Sequence, residues 1–207
     1  MKQLGVVLFF LVFATFSLSG GLITNQPAGG ATTTFPGGTS CYSGPTTGTV
    51  AGFSISATGD ACYNYDYGWG LDDNGQWNMG LIGDNSGSTL ITINLGGLYS
   101  SVGGFVNYAP GYGDPIMTAI AGDGTTVLES WNLATYAPIS TPGATNGGAF
   151  RGIDMGSPVI GYLRIGGSYF VMHDITLDSE AIPEPSTALL AAGALVLLGL
   201  TRLRRRA

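Results

Sequence analysis

Ile116-Met117-Thr118-Ala119-Ile120-Ala121, then Gly122-Asp123-Gly124-Thr125, then Thr126-Val127-Leu128-Glu129-Ser130-Trp131: this stretch decides the fold. Two strand-forming runs flank an Asp-Gly pair, the strongest short-range signal for a β-hairpin. Upstream, Leu90–Leu95 alternates, with Ile91, Ile93 and Leu95 on one face and Thr92 and Asn94 on the other, as a half-buried strand requires. Further strands are expected at Val50–Ser56, Ala61–Trp69, Gly104–Tyr108, Ala149–Ile153, Ile160–Ile165 and Tyr169–Leu177, about nine in all. The 35 glycines and 10 prolines punctuate the chain at short intervals, and no segment between the two ends carries a helical apolar period. The expectation is an all-β, antiparallel β-sandwich or jelly roll.

The ends read differently. Met1-Lys2, the apolar stretch Leu4–Phe16 and the small residues Ser17, Ser19, Gly20 and Gly21 have the form of a secretory signal peptide, residues 1–19. A first transmembrane helix is the competing reading, disfavoured by the shortness of the run. Residues 20–40, rich in Gly, Thr, Pro and Ala, read as a flexible N-terminal segment or a loosely attached strand, and residues 41–180 as the β-sandwich ectodomain. In residues 181–207, Pro183 and Pro185 hold the chain extended, because each lacks an N–H and biases its predecessor away from helix. The apolar run Ala188–Leu200 has thirteen residues, short of the ~20 of a full span. Arg202, Arg204, Arg205 and Arg206 follow it as a cytoplasmic stop.

Pro183-Glu184-Pro185-Ser186-Thr187, the single hydrophobic helix and the arginine cluster, in that order, resemble the PEP-CTERM sorting signal of Gram-negative bacteria. The resemblance implies export, transient anchorage in the inner membrane through the C-terminal helix, and processing near the Pro-Glu-Pro element by exosortase, a membrane cysteine peptidase. It also implies an exopolysaccharide-making host. Gly104–Pro110, Gly148–Ile153 and Val171–Leu177 look more loosely like the jelly-roll ectodomains that precede such tails, with His173 in place of an aspartate.

Between Gly20 and Ile182 there are two arginines, no lysine and twelve acidic residues, a net charge of −10. Nucleic acid is excluded as a partner, since phosphate binding needs clustered cations. Cations and neutral polymers such as polysaccharides remain. Cys41 and Cys62, an even count in an exported chain, predict one disulfide; a Cys–Cys metal pair is the rival, but only His173 is at hand to complete it.

That single histidine leaves a serine triad without support, and no G-x-S-x-G elbow is present. Glu129 has no partner carboxylate in its own strand for glycoside hydrolysis. Asp72-Asp73-Asn74-Gly75 has the oxygen ligands of a weak structural calcium site, or of a plain Asx-rich turn. In Tyr63-Asn64-Tyr65-Asp66-Tyr67-Gly68-Trp69, a period of two puts Tyr63, Tyr65, Tyr67 and Trp69 on one face, a candidate glycan face of rings beside hydrogen-bonding groups. The same rings could instead be core. The functional expectation is a cell-surface or extracellular-matrix protein, structural or glycan-binding, associated with exopolysaccharide and without catalysis. A polysaccharide-acting hydrolase and a surface adhesin are the alternatives.

Overall fold

The structure, a computed structural model, describes residues 20–36, 40–63, 69–78, 80–83, 89–167 and 169–179. The strands in chain order are β1 (Gly21–Ile23), β2 (Ala31–Thr34), β3 (Ser40–Tyr42), β4 (Thr46–Val50), β5 (Phe53–Ala57), β6 (Ala61–Tyr63), β7 (Trp69–Gly70), β8 (Gln76–Trp77) and β9 (Leu81–Gly83). They continue with β10 (Leu90–Tyr99), β11 (Ser101–Tyr108), β12 (Ile116–Ala121), β13 (Val127–Asn132), β14 (Ala149–Asp154), β15 (Ile160–Gly166) and β16 (Phe170–Asp178). The helical elements among the described residues are a 3-10 turn at Asp72–Asn74 and the short α1 (Leu133–Tyr136), so none of them is long and apolar enough to cross a membrane.

The strands form two open antiparallel sheets. The six-stranded sheet runs β13-β12-β15-β10-β5-β4, and the eight-stranded sheet runs β1-β14-β11-β16-β9-β6-β3, with β2 also on β16. A two-stranded ribbon, β7-β8, completes the set. Ile55, Ile91, Ile93, Met117 and Leu163 of the first sheet share one buried cluster with Val102, Val106, Ile153, Met172 and Ile175 of the second. The sheets therefore pack face to face, and each such side chain contributes about 1.5–3 kcal/mol by leaving water. The alternation expected of Leu90–Leu95 is what β10 shows: Ile91, Ile93 and Leu95 are buried while Asn94 is exposed and Thr92 half-buried.

Three expectations are corrected. Val50–Ser56 is not one strand, because Ala51 and Gly52 take positive φ and join β4 to β5 in a two-residue hairpin with Val50 opposite Phe53. Of Ala61–Trp69, the described residues are Ala61–Tyr63, which form β6, and Trp69, where β7 starts; residues 64–68 lie outside the described ones. The described residues contain more strands than the nine expected, the additional ones being mostly short pieces of two to five residues. Residues 20–36 are built into the fold: β1 pairs with β14, β2 pairs with β16, and Phe35 is 1% exposed in the core. Main-chain bonds to those strands hold it, assisted by hydrogen bonds linking Gln26, Thr32 and Thr176. The signal-peptide and sorting-tail readings, residues 1–19 and 181–207, fall outside the described residues.

The eight-stranded sheet is covered on both sides where β16 crosses it. Val171 lies between Phe170 and Met172, both in the main core, and so points the other way, into a second cluster with Cys62, Leu71, Trp77 and Ala109. The β7-β8 ribbon and its 3-10 turn supply that cover. Among the described residues no such layer lies over the β4, β5 and β10 part of the outer face of the six-stranded sheet, whereas Thr118 and Ile120 of β12 are buried.

Candidate functional site

Register turns the uncovered face into ordered rows. Thr47 stands opposite Ser56, Ser56 opposite Thr92, Thr92 opposite Arg164, Arg164 opposite Thr118 and Thr118 opposite Ser130, one residue from each of the six strands. At ~4.8 Å between strands this row spans about 24 Å. Beside it runs a second row, Thr49, Ser54, Asn94 and Tyr162, which ends against the fully buried Ile120. On β4, β5 and β10 serine and threonine sit here because these strands bury the alternate residues, Val50, Ile55, Ile91 and Ile93 among them.

The groove over β4, β5, β10 and β15 has a volume of about 460 Å³ and is lined by Thr47, Gly48, Thr49, Ser54, Ile55, Ser56, Thr92, Asn94 and Tyr162. A second depression of about 420 Å³, lined by Pro45, Thr46, Thr47, Ser56 and Ala57, extends it toward the β4 edge. Neither lining contains a carboxylate. Arg164 Nε donates to Thr92 Oγ1 at 3.1 Å, which fixes the guanidinium at the groove's flank. Thr118 and Ser130 hydroxyls bond each other at 3.0 Å. Asn94 Oδ1 accepts from the Gly96 N–H at 3.0 Å, which leaves its Nδ2 to donate to a ligand. The Tyr162 ring is the aromatic member of the lining. Hydroxyls, one amide, one ring and a flanking guanidinium form a surface with hydrogen-bond donors and acceptors to offer a ligand, and its lining residues hold no nucleophile–base pair.

No protein-family model, curated protein or solved structure matches this chain.

The residues singled out in the sequence lie elsewhere. Cys41 and Cys62 are joined in a disulfide, directly opposite each other on β3 and β6, and no metal pair is formed. Tyr63 is not on an exposed platform: it is 2% exposed, and its ring packs where a Gly48 Cβ would stand. Its hydroxyl has no hydrogen-bond partner among the described residues, and burial, aided by Tyr42, pushes the phenol's pKa up. Tyr65 and Tyr67 lie outside the described residues, and of Trp69 the structure gives its backbone, paired with Trp77.

Asn74 of the calcium candidate is turned inward. It is 2% exposed, its Nδ2 donates to Tyr108 O at 2.8 Å and Ile139 O at 3.0 Å, and its Oδ1 accepts from Thr141 N. Asp72 and Asp73 are exposed, and Asp72 accepts from the Tyr112 phenol, which pushes that phenol's pKa up. Among the described residues no three His, Cys, Asp or Glu side chains are grouped to hold a metal ion. Asn74 is instead one half of a plug. Asn107 Nδ2 donates to Thr141 Oγ1 at 2.9 Å and to Gly147 O at 2.7 Å, so two buried amides tie three loops together.

His173 and Asp174 occupy a bulge in β16, where Gly104 pairs with Ile175 and Val106 with Met172; the imidazole Nδ1 is 3.0 Å from Asp174 Oδ1. Arg151, the second arginine, is buried and donates to the carbonyls of Ala137, Phe150 and Pro138 at 2.7–3.0 Å; desolvation lowers its pKa. The hydroxyl rows were not singled out from the sequence. The signal that could have found them is the spacing of two in Thr47/Thr49, Ser54/Ser56 and Thr92/Asn94.

Proposed function

We propose that this is an exported, exosortase-processed protein of the cell surface or exopolysaccharide matrix, and that it binds polysaccharide along the outer face of its six-stranded sheet. The observation that carries the binding role is the carboxylate-free groove with its registered hydroxyl rows, on a sheet face that no other element covers there among the described residues. Open, hydroxyl-lined surfaces suit a long flexible polymer better than a small ligand, which is mostly enclosed when bound. The ectodomain is a sandwich of jelly-roll type, a reading supported by the pairing of β11 with β16 and of β12 with β15, which wraps a long hairpin across both sheets. The Cys41–Cys62 disulfide is in keeping with an oxidising compartment. The tail from Pro183 to Arg206 supplies the address, by its resemblance to the sorting signal.

The experiment is a paired one on host cells. The mature protein should co-fractionate with the host polymer, and Asn94→Ala combined with Thr92→Val should abolish that retention while leaving the melting temperature within a few degrees of wild type. Retention unaffected by both changes would defeat the assignment of the face. Intact mass of the mature protein should show loss of everything after the Pro183–Thr187 motif; a product that keeps Arg202–Arg206 would defeat processing.

A further inference from the structure

Charge on the proposed binding face is distributed unlike charge on the rest of the domain. Of the two arginines between Gly20 and Ile182, Arg151 is buried against carbonyls, so Arg164 is the arginine that reaches solvent, and it flanks the groove. The strands of the six-stranded sheet contain one acidic residue, Glu129. It pairs with the fully buried Ala119 and its Cγ lies 3.2 Å from where a Gly20 Cβ would stand, on the side away from the groove. Among the described residues Asp154, Asp174 and Asp178 lie on the eight-stranded sheet, and Asp60, Asp72, Asp73, Asp114 and Asp123 lie in turns and loops; Asp66, Asp84 and Glu180 lie outside them.

We infer that the groove takes a carboxylated polysaccharide, with Arg164 as the residue that recognises its acidic sugar; this rests on the polysaccharide-binding reading above. A neutral polymer would not need the lone solvent-facing cation placed beside the groove, and a nucleic acid would need several. A guanidinium presents donors in a planar fork that matches a carboxylate, and here Nε is already anchored on Thr92, leaving the terminal nitrogens to face the ligand. The domain's excess negative charge does not forbid the approach, because exposed charges more than ~8–10 Å from the bound carboxylate are screened at physiological salt.

The test is titration calorimetry of the exported protein with polygalacturonate and with a neutral soluble β-glucan. Polygalacturonate should bind at least about tenfold more tightly. Arg164→Gln should weaken it by roughly 10–100-fold with little effect on the glucan, and Arg164→Lys should retain part of the preference. Equal binding of both polymers, unchanged by Arg164→Gln but weakened by Asn94→Ala, would overturn the acidic preference and leave the binding face standing. No binding of either polymer at millimolar concentration would overturn both.

Discussion

Exchanging one nitrogen for oxygen at Asn74 tests whether the 3-10 turn is an anchor or an ion site. Asn74→Asp keeps the side chain's shape but removes the two donors that reach Tyr108 O and Ile139 O. Two lost bonds cost about 1 kcal/mol each, and a carboxylate facing two carbonyls in a site 2% exposed adds a further ~1–3 kcal/mol. The retained bond from Thr141 N offsets part of this, which leaves about 3–4 kcal/mol. In a domain of this size the melting temperature should fall by on the order of 10 °C. The new carboxyl is charged only at a cost, so its pKa is raised in the folded protein. Its penalty should therefore be smallest below the unfolded value of about 3.9 and grow as pH rises through the folded value. Thermal melts of both proteins across pH 4 to 8, with and without millimolar calcium, measure this. A variant as stable as wild type, or one that calcium raises above wild type, would refute the inward placement of Asn74 and restore the turn as a cation site.

Three further outcomes follow from the packing. Cys62→Ser should cost about 3 kcal/mol through loss of a loop closure between residues 21 apart, read by denaturant melts, and wild-type thiols should resist alkylation until reduced. Gly104→Ala should be disproportionately harmful for one methyl group, because its Cβ would sit 2.0 Å from Asp174 O and 2.4 Å from Met172 Cε; a loss of at least ~1–3 kcal/mol is expected, and an unchanged melt would show that the β16 bulge adapts. Asp123 should titrate at about 2 by NMR, held down first by the Thr126 hydroxyl and then by the Thr126 and Thr125 amides. Any contribution from this low value is present above the unfolded pKa and lost as pH falls through about 2, and Thr126→Val should move the midpoint up.

The β4, β5 and β10 part of the six-stranded sheet was legible because one of its faces is wet. Leu90–Leu95 and the hairpin around Asp123 alternate or turn in ways that local chemistry dictates. The eight-stranded sheet hides the same rule: β11 is buried at seven of eight positions and β16 at six of nine, since the β7-β8 ribbon covers its second side. Apolar periodicity cannot mark faces that are both dry. Gly21–Ile23 and Ala31–Thr34 are too short and too polar to announce themselves, and become strands because β14 and β16 offer them main-chain partners from far along the chain. The groove was illegible for a similar reason. Thr47, Ser56, Thr92 and Arg164 form a row only once the register is known, whereas Tyr63 advertised itself by type and proved to be core.

The hub position of β16 has a bearing on how the molecule is made. This last described strand completes the middle of the eight-stranded sheet, touching β11 on one side and both β2 and β9 on the other, with Thr33 opposite Ile175. Contacts this distant in sequence put the fold among slow, high-contact-order topologies, in the millisecond-to-second range. A chain emerging N-terminus first would wait with the edges of β2, β9 and β11 unpaired until Phe170–Asp178 appears, which is the interval in which such edges aggregate. The time these edges stay open before β16 docks, as well as final stability, then bears on the yield of folded protein.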